Sequence, residues 1–466
     1  MALLIRRSNR KPKGEDRGKL PSFFPLPASR FPFPSLKRSA IARSVLPVWM
    51  IPLAYVAATI ALAFTLPPLE YRFLPGLTHA MTISSAVAIF SSIASGMIAL
   101  TGIVFSISFV MVQFSSSAYS PRLVSWFSES PIVFHSLGLF SATFIYALVV
   151  IGWVDRNGSG KVPFISTWVV VFLLITSVFA LVLLIRGVSE LQVSRVLRLI
   201  GHRGREAIRE VYLENEAAVL EKDGPISTVA ENMPVSQTLG FSGRPLVIES
   251  IDTRSLVRMA REAEGVIVLR YAVGDAVMEG SPLLQLFGGK KRLAESHLAG
   301  AIKLGEERTF EQDPRYPIRL LVDIAIKALS PSINDPTTAV QAIDQIEDLL
   351  RRLATCNLEV GSVRDENGTL RLVFPTPDWR DYVSLAFDEI SFYGASSLQV
   401  VRKLRSALDD LLEIGPPPKK EALLSCLEHL DHIVNRSFTG EHDRNRAKQT
   451  DRQGLGLTMR RRSGPF

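Results

Sequence analysis

Cysteine is close to absent. Cys356 and Cys426 are the two cysteines in 466 residues, and both lie in the second half. Two distant thiols make no disulfide framework, so nothing ties the chain to an oxidising compartment. Charge is missing from four long runs: no Asp, Glu, Lys or Arg occurs in 45–66, 81–112, 132–154 or 164–185. The sequence also has no P-loop, no dinucleotide fingerprint and no Gly-x-Ser-x-Gly elbow. Those absences remove the enzyme classes that short motifs reveal, and a non-enzymatic protein without a cofactor is expected.

What is there is apolar and unevenly spread. Hydrophobic residues make up 47% of the chain and the mean hydropathy is +0.20. The four uncharged runs hold the excess, and each meets the roughly 20 residues that cross a hydrocarbon core of about 30 Å. Trp49, Trp153 and Trp168 stand near their ends, where indole rings favour the interface. The fold class expected is therefore a multi-pass α-helical membrane protein with four transmembrane helices in 45–187. A connector (188–226) and an α+β cytoplasmic domain follow.

Orientation comes from the basic residues. Net charge is +8, and the tail 1–44 holds Arg6, Arg7, Arg10, Lys11, Lys13 and Arg17 against Glu15 and Asp16. Arg186, Arg195, Arg198, Arg203 and Arg205 follow the fourth run. The positive-inside rule then puts both termini in the cytoplasm. The tails 1–44 and 438–466 read as disordered and basic, suited to anionic lipid rather than nucleic acid.

The second run is the most informative. From Met81 to Tyr119 there is neither proline nor charge. Ser84, Ala88, Ser91, Ser95, Ala99, Gly102 and Ser106 recur at steps of three and four, which is one helix face; Phe109 interrupts it and Gln113 continues it. Two explanations compete. Small residues let helices approach closely, or the same uncharged face lines a pore around a symmetry axis.

Beyond a linker at Gly224-Pro225 and Met233-Pro234, residues 227–290 read as a small β-rich, barrel-sandwich-like subdomain. Strands are expected at 246–248, 266–269 and 283–287, with a short helix capped at Asp252 or Thr253. The run Val273–Leu283 resembles the turn of biotinyl, lipoyl and adaptor hairpin domains. Lys290 and Lys291 fall after the strand rather than at a hairpin tip, so no cofactor arm is expected. Residues 291–437 read as mainly helical with one hairpin at 359–374. Gly201 and Gly204 read as helix breaks in the connector.

Two polar groupings remain. Ser330, Asn334, Asp335, Thr337 and Thr338 gather at an elbow where Asp335 caps a helix beginning at Pro336. A helix start of that kind can also hold an anion. Cys426, His429 and His432 share a helix near Asp431, a weak metal-like spacing beside an apolar stripe of Leu423, Leu427, Leu430 and Val434.

Several stretches carry a resemblance: Gly102-Ile103-Val104-Phe105-Ser106-Ile107, Ser120-Pro121-Arg122-Leu123, Gly274-Asp275, Glu307-Arg308-Thr309 with Glu311-Gln312-Asp313-Pro314, and Ser330-Pro331 with Ile333-Asn334-Asp335-Pro336. The chain resembles the bacterial membrane-protein family called domain of unknown function 2254, over about 45–412. The resemblance implies a multi-pass protein of a bacterial plasma (inner) membrane and supplies no catalytic residues. The function expected is a homo-oligomeric membrane protein, a channel or pore regulated by its cytoplasmic domain. The alternative is a membrane-anchored sensor or scaffold whose cytoplasmic domain binds a ligand or partner. The partners expected are the lipid bilayer and further copies of the chain.

Overall fold

The computed structural model describes residues 49–118, 131–189, 192–213 and 233–455. The basic N-terminal tail, Ser120–Leu123, the linker at Gly224-Pro225 and the final arginines lie outside the described residues.

Four helices are long and apolar enough to cross a membrane: α1 (Met50–Phe73), α2 (Ile83–Ala118), α3 (Pro131–Ile151) and α4 (Phe164–Ser189). The third packs against the other three, and α2 stands at the edge against α3. Phe90 and Met97 of α2 meet Phe140, Tyr146 and Val150 of α3 in their shared core. Close approach of α1 to α3 requires Gly138, where a Cβ would sit 2.8 Å from the Tyr55 ring.

The first helix continues past Leu66, where apolarity ends, through Pro67 and Pro68 to Phe73. The reason is Glu70, which is buried. Its carboxylate accepts from the backbone N–H of Ile165 at 2.7 Å and of Ser166 at 3.3 Å. Those are orphan donors at the start of α4, and a negative charge is favoured there. Near the same helix ends, the Tyr71 hydroxyl donates to the Trp153 carbonyl at 2.7 Å.

After α4 the chain enters α5 (Val193–Ile208), which ends in a π-helical turn, Arg209–Leu213. Gly201 and Gly204 do not break α5. They let it lie against α9 (Pro336–Thr355) and α8 (Arg315–Ala328): a Cβ on Gly204 would sit 2.8 Å from Leu349 and 3.2 Å from Pro317. Tertiary packing here overrides the helix-breaking tendency of glycine.

A β layer comes next: β1 (Val235–Gly240), β2 (Leu246–Ile251), α6 (Thr253–Glu262), β3 (Val266–Leu269), β4 (Ala276–Val277), β5 (Pro282–Phe287), α7 (Glu295–Gly300) and β6 (Ile302–Gly305). Asp252 caps α6 by accepting from Ser255 N–H at 3.0 Å. The boundary expected at 290 is not a boundary in space. Ile302–Gly305, expected to be helical, pairs as β6 with β2. The hairpin of β7 (Ser362–Arg364) and β8 (Leu370–Val373) adds β8 in parallel to β3, giving a five-stranded sheet ordered β1-β5-β3-β8-β7. Strands of three or four residues are too short for periodicity to reveal, and the β3–β8 pairing is non-local.

The remaining helices are α8, α9, α10 (Trp379–Tyr393), α11 (Leu398–Ile414), α12 (Pro417–Ser437) and α13 (Glu441–Ala447). Ile318, Leu321, Val322, Ala325 and Ala328 of α8 are all buried, as its spacing requires, beside Leu197 and Ile200 of α5. Lys419 closes the end of α9, its ammonium donating to the carbonyls of Leu353, Ala354 and Cys356 at 2.8–3.0 Å. The chain from 438 to 455, expected to be a disordered tail, belongs to the folded body. Asp451 is buried, Arg452 pairs with Asp410, and Gly454 rests on Val340.

Candidate functional site

Every member of the small-residue face of α2 is exposed: Ser84, Ala88, Ser91, Ser95, Ala99, Gly102, Ser106 and Gln113. At about 100° per residue the face lies opposite the side that packs on α3, which presents Ala86, Phe90, Ile93, Met97 and Val104. A Cβ built on Gly96 or Gly102 meets nothing within 4 Å. The Ser106 hydroxyl donates to the Gly102 carbonyl at 3.0 Å. Exposed Ile98, Ile103, Phe105 and Val110 flank that strip and Phe109 interrupts it, whereas the exposed side of α4 has no such strip. Trp168, Phe172, Ile175, Phe179 and Val182 are bulky and apolar, and Phe172 is 67% exposed. Such a surface suits acyl chains, whereas a strip of serine, alanine and glycine suits close protein contact or water.

A second site lies in the C-terminal body. A cleft of about 500 Å³ separates the end of β2 and the start of α6 from the π-helical turn, the start of α8 and residues 374–377. Val273 and Gln312–Pro314 line its wall, and next to them Gly274 meets Asp313 and Arg308. Gly274 has φ +87°, and a Cβ there would lie 2.3 Å from Asp313 Oδ2, so only glycine fits. Arg308 Nε donates to the Gly274 carbonyl at 2.7 Å, and Arg315 donates to the Val273 carbonyl. Asp313 Oδ1 accepts from Arg315 N–H at 3.1 Å, while its Oδ2 has no hydrogen-bond partner. Burial holds the Asp313 carboxyl above the usual range against the pull of Arg315 and Arg308. Gln312, with φ +54°, accepts from Ile251 N–H at 3.0 Å. Behind it Tyr212 and Tyr382 share a buried hydroxyl contact of 2.8 Å, and burial pushes the Tyr212 phenol up to about 12.

This cluster ties the β layer to the helical body. In sequence the Arg308–Pro314 run carries the resemblance alone, and its place in a site shows only in the fold. The available signal was its density of charged and amide side chains just before an apolar segment.

The elbow is a capped helix start. Asp335 accepts from Thr338 N–H at 3.1 Å and from its hydroxyl at 2.6 Å. Ser330 donates to the Lys327 carbonyl at 2.7 Å. Asn334 takes φ +46° to complete the turn, and Thr337 is exposed. The Asp335 carboxylate stands where an incoming anion would sit, and Pro336 offers no N–H, so the geometry favours capping over anion capture. Cys426 faces the core and burial pushes its thiol up to about 12, whereas His429 and His432 are exposed. Among the described residues no group of three or more His, Cys, Asp or Glu is placed to hold a metal.

A family described as Predicted membrane protein (DUF2254) matches residues 47–410. Uncharacterised proteins of Mycobacterium bovis and Mycobacterium tuberculosis are each 25% identical to the chain over 410 residues. Those matches cover 85% of this chain and 78% of the mycobacterial proteins. No solved structure matches it.

Proposed function

The chain belongs to the DUF2254 family of predicted membrane proteins, and on that premise we propose that it is a non-enzymatic homo-oligomer whose second spans surround a common axis. The observation that carries the reading is the exposed face from Ser84 to Ser106, turned directly away from the subunit's own packing. Lipid tails gain nothing from such a face, and a second copy of α2 can approach closely across Gly96, Ala99 and Gly102. Closed rotational symmetry then places the serines around an axis, and a water-filled pore is the specific form this takes. With the basic residues after α4 inside, the C-terminal body is cytoplasmic. It regulates the spans through α8, which comes against α2.

Cross-linking tests the assembly. Single cysteines at Ser95, Ala99 or Gly102, in a chain lacking Cys356 and Cys426, give disulfide-linked dimers on mild oxidation in native membranes. A cysteine at Phe172, on the lipid-type face of α4, gives none. A monomeric mass in lipid nanodiscs, with no cross-link at any α2 position, refutes the assembly. Conductance of the reconstituted protein separates a pore from a packed bundle.

A second reading rests on the cleft. Its mixed lining of Ser250, Thr253, Arg254, Thr376 and Phe374 fits a small polar ligand, as in a membrane-anchored sensor. Fluorescence or thermal-shift screening of soluble metabolites against the full chain in detergent distinguishes it. A binder that loses affinity in Arg254→Ala supports the sensor.

A further inference from the structure

The first helix after the last span carries a one-sided basic stripe. On α5 and its π-helical turn, Arg195, Arg198, Leu199, His202, Glu206 and Arg209 follow one another at steps of three, one, three, four and three. All are exposed. The opposite side, Val196, Leu197, Ile200, Gly204 and Ile208, is buried in the core of the C-terminal body. Nothing in the fold therefore frees α5 to turn, and the stripe always faces outward.

Among the described residues the arginines of that stripe are unspent. Arg195, Arg198 and Arg209 form no side-chain ion pair or hydrogen bond among the described residues. Two acids adjoin the stripe: Glu206, engaged by Arg203 at 3.1 Å and His202 at 3.4 Å, and exposed Glu210, which borders the cleft. Arg186, also exposed, adds a further positive charge near the end of α4.

Position supplies the partner. At 1.5 Å per residue the 26 residues of α4 extend about 39 Å, beyond a hydrocarbon core of about 30 Å. Its end therefore reaches the headgroups. Val193 follows Ser189 by four residues, a reach of at most about 14 Å. Arg195 and Arg198 thus follow within a short chain reach of the headgroup layer, with exposed Leu199 beside them.

We propose that this outward stripe of α5 is a docking surface for anionic phospholipid headgroups, which seat the C-terminal body on the membrane. The proposal rests on the membrane reading of α4 but not on oligomerisation or on which side of the membrane the body occupies. Each arginine near an anionic surface favours association by about fivefold, so three give a factor on the order of a hundred.

The test uses the full chain, delipidated in a neutral detergent. It is titrated with phosphatidylglycerol or with phosphatidylcholine of the same acyl chains, and bound lipid is counted by native mass spectrometry. The wild type is expected to prefer phosphatidylglycerol at least tenfold at 0.15 M salt, a preference that shrinks as salt rises. The variant R195Q/R198Q/R209Q is expected to lose it, and a control with three other exposed arginines changed, R258Q/R270Q/R292Q, to keep it. A wild type without preference overturns the proposal, and this arm needs no variant to fold. A preference that survives in R195Q/R198Q/R209Q, or that excess glycerol phosphate abolishes, also overturns it, the latter by showing a site for small anions. None of these outcomes bears on the cross-links across α2, so the two readings fail separately.

Discussion

Replacing Gly204 with alanine places a methyl carbon 2.8 Å from both Leu349 Cδ atoms and 3.2 Å from the Pro317 Cβ. Leu349 is fully buried and the proline ring is rigid, so neither neighbour yields cheaply. Overpacking of this kind costs about 1–3 kcal/mol, while exchanging glycine for alanine inside a helix returns about 1 kcal/mol. The net expectation is a loss of about 1 kcal/mol. Gly201 is the control, one turn away on the same helix. Its new methyl would meet the Gln345 amide oxygen at 2.3 Å, but that half-buried amide is the end of a flexible side chain and can swing aside. Gly201→Ala should therefore keep most of the helix gain of about 1 kcal/mol. The two variants then differ by about 2 kcal/mol, or roughly 4–8 °C in unfolding midpoint for a body of this size. Thermal unfolding of the full chain in detergent, followed by tryptophan fluorescence, reads the difference. Equal midpoints, or Gly204→Ala the more stable, would refute the idea that glycine is needed there for the seating of α5 on α9.

Lys403 is buried between Asp344 at 2.7 Å and Glu347 at 3.1 Å. Burial works to lower its pKa, but the hydrogen bond to Asp344 and the charge of Glu347 outweigh it, and the ammonium is held above its usual value. A raised lysine stabilises the fold fully below its unfolded pKa of about 10.4 and loses that contribution as pH rises through the folded value. Lys403→Met should cost about 3 kcal/mol near neutral pH, and its gap from wild type should close in midpoints taken between neutrality and strong alkali; a constant gap contradicts the pairing. Asp313 is raised by burial, so the folded state takes up its proton first and wild type gains stability relative to Asp313→Asn as pH falls from neutrality through that folded pKa. Parallel curves for the two proteins across the acid range would count against a strained carboxylate. Both cysteines are buried, and a thiol-reactive dye at neutral pH should label the native chain far more slowly than the denatured one; rapid native labelling of Cys426 would contradict its placement.

The membrane half was legible because lipid imposes a one-dimensional rule: a spanning helix must satisfy its backbone internally and must be apolar for a set length. The periodicity of serine, alanine and glycine on α2 was equally plain, and so were the Asp335 cap and the buried stripe of α8, since each depends on residues within a few turns. Glu70 was not legible as part of α1. Its burial is tolerable only because the start of α4, nearly a hundred residues onward, supplies the donors. The same holds for Arg308, Asp313 and Gly274, whose meeting requires two loops to be brought together by the β layer, and for β8, which pairs with a strand far back in the chain. Glycine at 201 and 204 carried opposite meanings in sequence and in space, because propensity is a weak local bias and helix contact is decided by what lies across the gap. Sequence by itself determined the four long apolar helices, the small-residue face of α2 and the apolar face of α8. Only the tertiary structure decided which face of α2 was left uncovered, because that depends on which neighbour α3 takes, and neighbours are a property of the whole chain.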